Sequence, residues 1–137
     1  MQALADRVHA QHGTLDIVIN NAGFASAGRF LDTPIADWQW LIGINLMGVV
    51  HGCKAFGEKM AAQNSGHIVN IASVAGFYAA PEMSAYSATK HAVMGLSESL
   101  RAELAAHNIG VSEICLSIIN TNIVKNHART QRNCRFI

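Results

Sequence analysis

Gly66-His67-Ile68-Val69-Asn70-Ile71-Ala72-Ser73 is the stretch that decides the fold. A glycine opens a short apolar run, and a serine follows its last residue directly. Upstream, Leu15-Asp16-Ile17-Val18-Ile19 is a second such run, ending on Asn20-Asn21-Ala22-Gly23; downstream, Gly110 to Leu116 is a third. Helical patterns separate them. Residues 2–11 carry Leu4 and Val8 on one face, with Gly13 as the stop. After a loop from Phe24 to Asp32, Thr33-Pro34 supplies an N-cap and a first-turn proline. Leu46, Val49, Val50, Cys53, Phe56 and Met60 then keep helical spacing to about Gln63, and residues 84–106 form the longest helical pattern. Strands alternating with helices predict an α/β fold with a parallel sheet.

The composition fits a buried sheet. Half of the 137 residues are hydrophobic and 14% are charged, and the net charge is +1, which gives no electrostatic case for nucleic acid or an anionic membrane. The length suits one core. The uncharged run Trp38–Cys53 is too short to span a bilayer and carries Gln39, Asn45 and His51. Met1 leads straight into a helical pattern, so no secretory leader is expected. Three widely spaced cysteines (Cys53, Cys115, Cys134) read as reduced thiols of a cytoplasmic protein. Of the seven histidines only His9 and His12 are close together, and no HExxH occurs, so no metal site is expected.

Chemistry concentrates around Tyr86-Ser87-Ala88-Thr89-Lys90. Four residues apart on a helix, the phenol and the ammonium share one face. A free tyrosine has a pKa of about 10, so acid/base work near pH 7 requires stabilising the phenolate by about 4 kcal/mol. A lysine about 5 Å away supplies roughly 3 kcal/mol at an effective dielectric of 20 and under 1 in water. The pair therefore needs a partly dehydrated cleft. Ser73 and Asn20–Gly23 stand just beyond strand carboxyl ends, where open parallel sheets bind ligands. Asn45 interrupts an apolar helical face and needs buried partners, since an unpaired amide costs about 1–3 kcal/mol.

In this order and spacing, from about Met1 to Val124, the chain resembles the short-chain dehydrogenase/reductase family. The resemblance implies a partial Rossmann-type, doubly wound parallel sheet made of central strands and helices only. It implies hydride transfer between NAD or NADP and an alcohol or ketone. By position, Tyr86 would be the proton donor and acceptor, and Lys90 would lower its pKa and bind the nicotinamide ribose. Ser73 would polarise the substrate carbonyl, and Asn45 would support a water relay to the lysine. Asn21, Ala22 and Gly23 would lie along the cofactor, as would Ile119 and Thr121. The family's pairing helices imply a homodimer or homotetramer. The largely apolar segment between Ser73 and Tyr86 favours a hydrophobic small-molecule substrate.

Two departures qualify the resemblance. Leu116-Ser117 stands where the family has Pro-Gly; serine fits at negative φ, but a left-handed φ would cost about 1–2 kcal/mol. No two of the eleven glycines are separated by a single residue, so no GxG phosphate loop exists; Gly23 and Gly28 have P-loop spacing, but Arg29-Phe30 follows. Residues 1–124 thus read as the central part of such a domain, and 125–137 as a basic tail with Lys125, Arg129, Arg132 and Arg135. The competing expectation is a truncated, catalytically incompetent fragment acting at most as an interaction module.

Overall fold

The computed structural model describes residues 1–117 and 119. Its elements alternate as expected: α1 (Gln2–His12), β1 (Ile17–Asn20), α2 (Ile35–Ile42), α3 (Gly48–Gln63), β2 (Gly66–Ile71), α4 (Ser84–Leu104) and β3 (Ile109–Ile114). The strands form one parallel sheet in the order β1-β2-β3. Asn20 pairs with Asn70 across the first ladder, and Ile68 with Val111 across the second. The fold is α/β, with all three strand carboxyl ends at one edge. Thr121, Cys134 and the basic tail lie outside the described residues.

Gly13 ends α1 as its composition predicts, at φ 76°, with its N–H donating to the His9 carbonyl. The start of α2 differs from expectation. Pro34 is the N-cap, and its carbonyl accepts from the Asp37 and Trp38 N–H groups. The Thr33 hydroxyl instead donates to the Arg29 carbonyl at 2.8 Å, closing a short 3₁₀ turn, Phe30–Asp32, within the segment expected to be loop. Between α2 and α3 the helix widens into a π turn, Gly43–Met47, with Asn45 at its centre. A π turn adds one residue to a helical turn and swings the following side chains round. Asn45 is thereby aimed inward, 1% exposed.

Strand parity assigns the faces. Val18, Ile68, Asn70, Ile109 and Val111 are buried. Apart from Asn70, they pack in one cluster with Ala5 of α1, with Val49, Cys53, Phe56 and Met60 of α3, and with Val93 and Met94 of α4. The alternate residues are half-buried or exposed, and Ile17 and Ile19 remain 57% and 61% exposed. The described helices that reach the sheet therefore lie on one side of it.

Polar groups thread this core. Asn20 Nδ2 donates to Asn70 Oδ1 at 2.8 Å, Asn70 Nδ2 to Ser97 Oγ at 2.9 Å, and Ser97 Oγ to the Val93 carbonyl at 2.8 Å. The Cys53 thiol touches both amides, and burial pushes its pKa up. Gly52 makes room for the chain of amides, because a methyl there would overlap Asn20 Oδ1. Gly52→Ala is expected to destabilise the fold by about 1–3 kcal/mol through overpacking and loss of the Asn20–Asn70 bond. Urea unfolding measures the loss, and unchanged stability in Gly52→Ala would show that the amide chain reorganises freely.

Candidate active site

Three segments converge on the carboxyl edge of the sheet. Backbone pairing continues past β2 and β3: Ala72 N–H donates to the Ile114 carbonyl at 2.9 Å, and Val74 N–H to the Leu116 carbonyl at 2.8 Å. Ser73 is held between these bonds in extended conformation, φ −163° and ψ 159°, and caps a 3₁₀ turn, Val74–Gly76. Its Oγ accepts from the Ala75 N–H at 3.2 Å, so the hydroxyl proton is left to be donated.

α4 contributes Tyr86 and Lys90. Both are buried, and the Lys90 Nζ stands 5.7 Å from the centre of the Tyr86 ring. Lys90 Nζ donates to the Ile71 carbonyl at 2.9 Å, and among the described residues it makes no ion pair. Burial holds its pKa below the ordinary lysine value, with the neighbouring Cys115 pulling weakly the other way. The Cys115 thiol is itself raised, chiefly by burial and then by the Glu113 charge.

Asn45 clamps the loop after β1. Its Oδ1 accepts from the Phe24 N–H and its Nδ2 donates to the Phe24 carbonyl, both at 2.8 Å; Nδ2 also reaches Thr89 Oγ1 at 3.2 Å. Thr89 in turn donates to the Tyr86 carbonyl at 2.7 Å. The loop, the π turn and the α4 helix are thus locked together. Thr89 was not singled out from the sequence, although it stands three residues beyond Tyr86 on the same helical face. Gly23 lies between the partners: a Cβ there would sit 3.5 Å from Asn45 Oδ1 and 3.6 Å from Lys90 Nζ.

A cavity of about 300 Å³ opens over this edge, lined among others by Asn21, Gly23, Ser73, Tyr86, Lys90 and Ile119. Ala22 is exposed and does not line it, and Asn45 sits behind the wall. Leu116 and Ser117 form another part of the wall. Positive φ among described non-glycine residues is confined to Asn64, Glu82 and Asn108, so Ser117 carries no left-handed strain. On its other side Tyr86 packs in an apolar cluster with Leu41, Ala75 and Ala85, bordered by Phe24, Ala25, Trp38 and Met83. Among the described residues no three potential metal ligands cluster, and no helix is long and apolar enough to cross a membrane.

A parallel sheet with a cavity at its carboxyl edge, lined here by a tyrosine, a lysine and a serine, has the layout of a ligand-binding α/β sheet. The short chain dehydrogenase family model matches residues 1–132, and the chain belongs to that family. It is 47% identical over 125 residues to the probable oxidoreductase EphD of Mycobacterium tuberculosis, covering 90% of this chain and 21% of that protein. Identity to an uncharacterized oxidoreductase of Staphylococcus aureus, SAR2567, is 37% over 120 residues, covering 88% and 52%. The chain thus spans about half the length of these relatives, or less. Among solved structures, a short chain dehydrogenase/reductase from Burkholderia phymatum in complex with NAD superposes at TM-score 0.87 with 39% identity, covering 94% of this chain and 47% of that one. A gluconate 5-dehydrogenase from Burkholderia cenocepacia in complex with NADP and tartrate superposes equally well at 32% identity, covering 93% and 49%. The fold is therefore Rossmann-type.

Two measurements probe the site as built. Asn45→Ala leaves both backbone groups of Phe24 unpaired and is expected to lower stability by about 2–3 kcal/mol in urea unfolding; a loss below about half a kcal/mol would refute the clamp. Lys90 binds protons less readily folded than unfolded, so the unfolded state holds more protons as pH rises toward the ordinary lysine value of about 10.4. Wild type should therefore gain unfolding free energy relative to Lys90→Met as pH rises toward that value. A flat difference would place the ammonium in water.

Proposed function

We propose that this chain supplies the nicotinamide-and-substrate half of a short-chain dehydrogenase/reductase, acting on an alcohol or ketone. The observation that carries the reading is that Ser73, Tyr86 and Lys90 line one cavity at the carboxyl edge of a parallel sheet. The cavity residues fit the nicotinamide-ribose end of NAD or NADP, and a nicotinamide held there supplies or accepts the hydride. Asn21, Ala22, Gly23, Ile119 and Thr121 are the residues along which it would lie. Nothing in the 137 residues provides a glycine-rich pyrophosphate loop, so the chain by itself is expected to bind either cofactor weakly and to be impaired.

In this reading the residues divide the proton chemistry. Ser73, its oxygen already bonded to the Ala75 N–H, donates its hydroxyl proton to the substrate oxygen. Tyr86 gives that oxygen a proton in reduction and takes it back in oxidation. Lys90 stabilises the phenolate through its charge in a cleft with little water, where the interaction is several-fold stronger than in solution. Its ammonium has three N–H donors and spends one on Ile71, leaving two toward the cavity. Asn45 serves the relay to the lysine across Gly23, by shaping the loop that separates them. Phe24, Trp38 and Met83 beside Tyr86, with exposed Phe77 and Tyr78 nearby in sequence, support a hydrophobic small-molecule substrate. The expected setting is the cytoplasm, as a homodimer or homotetramer.

The second reading, a catalytically silent interaction module, is favoured by the sheet face left uncovered among the described residues and by the missing phosphate loop. A covalent chimera decides between them: the part of the Burkholderia phymatum protein outside the matched region, joined to this chain. It is expected to turn over secondary alcohols with NAD. Tyr86→Phe should then cost at least about 100-fold in kcat, with cofactor affinity nearly unchanged. Lys90→Ala should damage both. A chimera that keeps most of its turnover with Tyr86→Phe in place would remove Tyr86 from the mechanism. The 137-residue chain alone should show no micromolar quenching or enhancement of NADH fluorescence; finding it would mean a phosphate site of another kind.

A further inference from the structure

Three described residues other than glycine take a positive φ: Asn64, Glu82 and Asn108. The two asparagines close α3 and the 3₁₀ turn after α4, at φ 52° and 54°, a place and a residue type that suit the left-handed region. Glu82, at φ 63°, closes no helix and has no such tolerance. It stands in the turn Ala80-Pro81-Glu82-Met83, where Met83 N–H donates to the Ala80 carbonyl at 3.3 Å. A turn with proline second and a left-handed residue third calls for glycine or asparagine in that third place. Glu82 is exposed, so no packing of its side chain forces the backbone over. Strained backbone persists where its surroundings hold it. The bond that leaves this turn is short: Gly28 N–H donates to the Glu82 carbonyl at 2.7 Å. Beside it the Arg29 guanidinium stands 3.7 Å from the Glu82 carboxylate, with both side chains half exposed or more.

The two segments joined in this way flank the cavity. One leaves β1 through Gly23, which lines it; the other leaves β2 through Ser73 and enters α4 at Tyr86, which line it too. Phe24 shares the first loop with Gly28, and Met83 directly follows Glu82; both border the apolar cluster around Tyr86. Asn45 fixes the Phe24 end of the first loop, and the Gly28–Glu82 bond fixes its far end against the second. We propose that Glu82 is a positioning residue: its strained turn and the bond to Gly28 form a latch that closes the two loops and holds Phe24 and Met83 as the apolar wall where a substrate lies against Tyr86. That the wall meets a substrate rests on the reductase reading; the latch itself does not. A glycine at this position would hold the same turn without strain, whereas a β-branched residue would be forced out of it. Glutamate lies between the two, so the latch is closed but stands nearer to opening than the turn requires.

Hydrogen exchange at the Gly28 amide of the 137-residue chain reads the latch, with the Ile68 amide within β2 as the standard for global unfolding. Exchange at Gly28 is expected to slow at least about threefold in Glu82→Gly and to quicken at least about threefold in Glu82→Val, with Ile68 unchanged in both. Arg29→Gln should move it by less than about twofold, since an exposed ion pair at that distance holds little. An unprotected Gly28 amide, the same rate whatever stands at position 82, or Ile68 moving in step with Gly28 overturns the proposal. So does an Arg29→Gln effect as large as that of Glu82→Val, which would move the latch from the backbone to the ion pair. In the covalent chimera, Glu82→Val should raise the substrate KM at least about threefold and leave kcat within about twofold, because the wall touches the substrate and not the proton path. Glu82→Gly should leave KM no higher than in the parent. A fall in kcat with KM unmoved overturns the positioning role. An exchange order that holds in a chimera without turnover supports the latch and counts against the reductase reading; an active chimera whose Gly28 amide is indifferent to residue 82 does the reverse.

Discussion

Asn20 and Asn70 stand opposite one another at the carboxyl ends of adjacent parallel strands, and their side chains hydrogen-bond at 2.8 Å. That pairing fixes the register where the site begins. A slip of one residue would turn Asn20 and Val18 to the uncovered face and bring Ile17 and Ile19 into the core. It would also strand a buried amide without its partner, at a cost of about 1–3 kcal/mol. Because Asn70 is bonded on to Ser97, the same chain of contacts fixes where α4 lies along the sheet. Lys90 sits two turns before Ser97 on that helix, so the depth of the lysine in the cleft is set from the amide pair outward.

The placement of Lys90 shows how local cost is turned to use. A buried ammonium held, among the described residues, by one carbonyl is poorly compensated, and burial loosens its proton. The same removal from water strengthens the field it exerts on the Tyr86 ring 5.7 Å away. Asn45 and Thr89 keep the arrangement from relaxing: one clamps the Phe24 backbone, the other ties that clamp to the Tyr86 carbonyl. Neither touches the cavity. Their contribution is rigidity around groups that do.

Much of this was legible from residue order alone, for identifiable reasons. Apolar runs bounded by glycine and asparagine located all three strands, and Gly13 stopped α1 through a left-handed φ that other residues avoid. Ser73, Tyr86 and Lys90 could be placed in one cleft because strand ends and helical spacing are strong geometric rules. The start of α2 was displaced: the Thr33 hydroxyl is turned back to the Arg29 carbonyl, and the Pro34 carbonyl opens the helix instead. The π turn was illegible, since its residues keep the apolar character of an ordinary helix and only its tertiary partner, the Phe24 backbone, demands the extra residue. Ala22 follows from its motif alone: side-chain direction in an irregular turn is not periodic, and the residue is exposed and not among those that line the cavity.

The replacement of Pro-Gly by Leu116-Ser117 tests how far such a site depends on particular residues. What holds the segment in place is the bond from Val74 N–H to the Leu116 carbonyl, and proline and leucine present that carbonyl alike. Leucine adds an N–H that proline lacks, at a position 37% exposed where water can satisfy it. Ser117 sits outside the left-handed region, so the glycine's special freedom is not required there. The wall beside the cavity is therefore set by backbone pairing continued beyond β2 and β3, and the side chains on it are free to vary. The same logic explains why the site's geometry does not depend on a second layer: its anchors are this backbone pairing and the described helices, which lie on one face of the sheet.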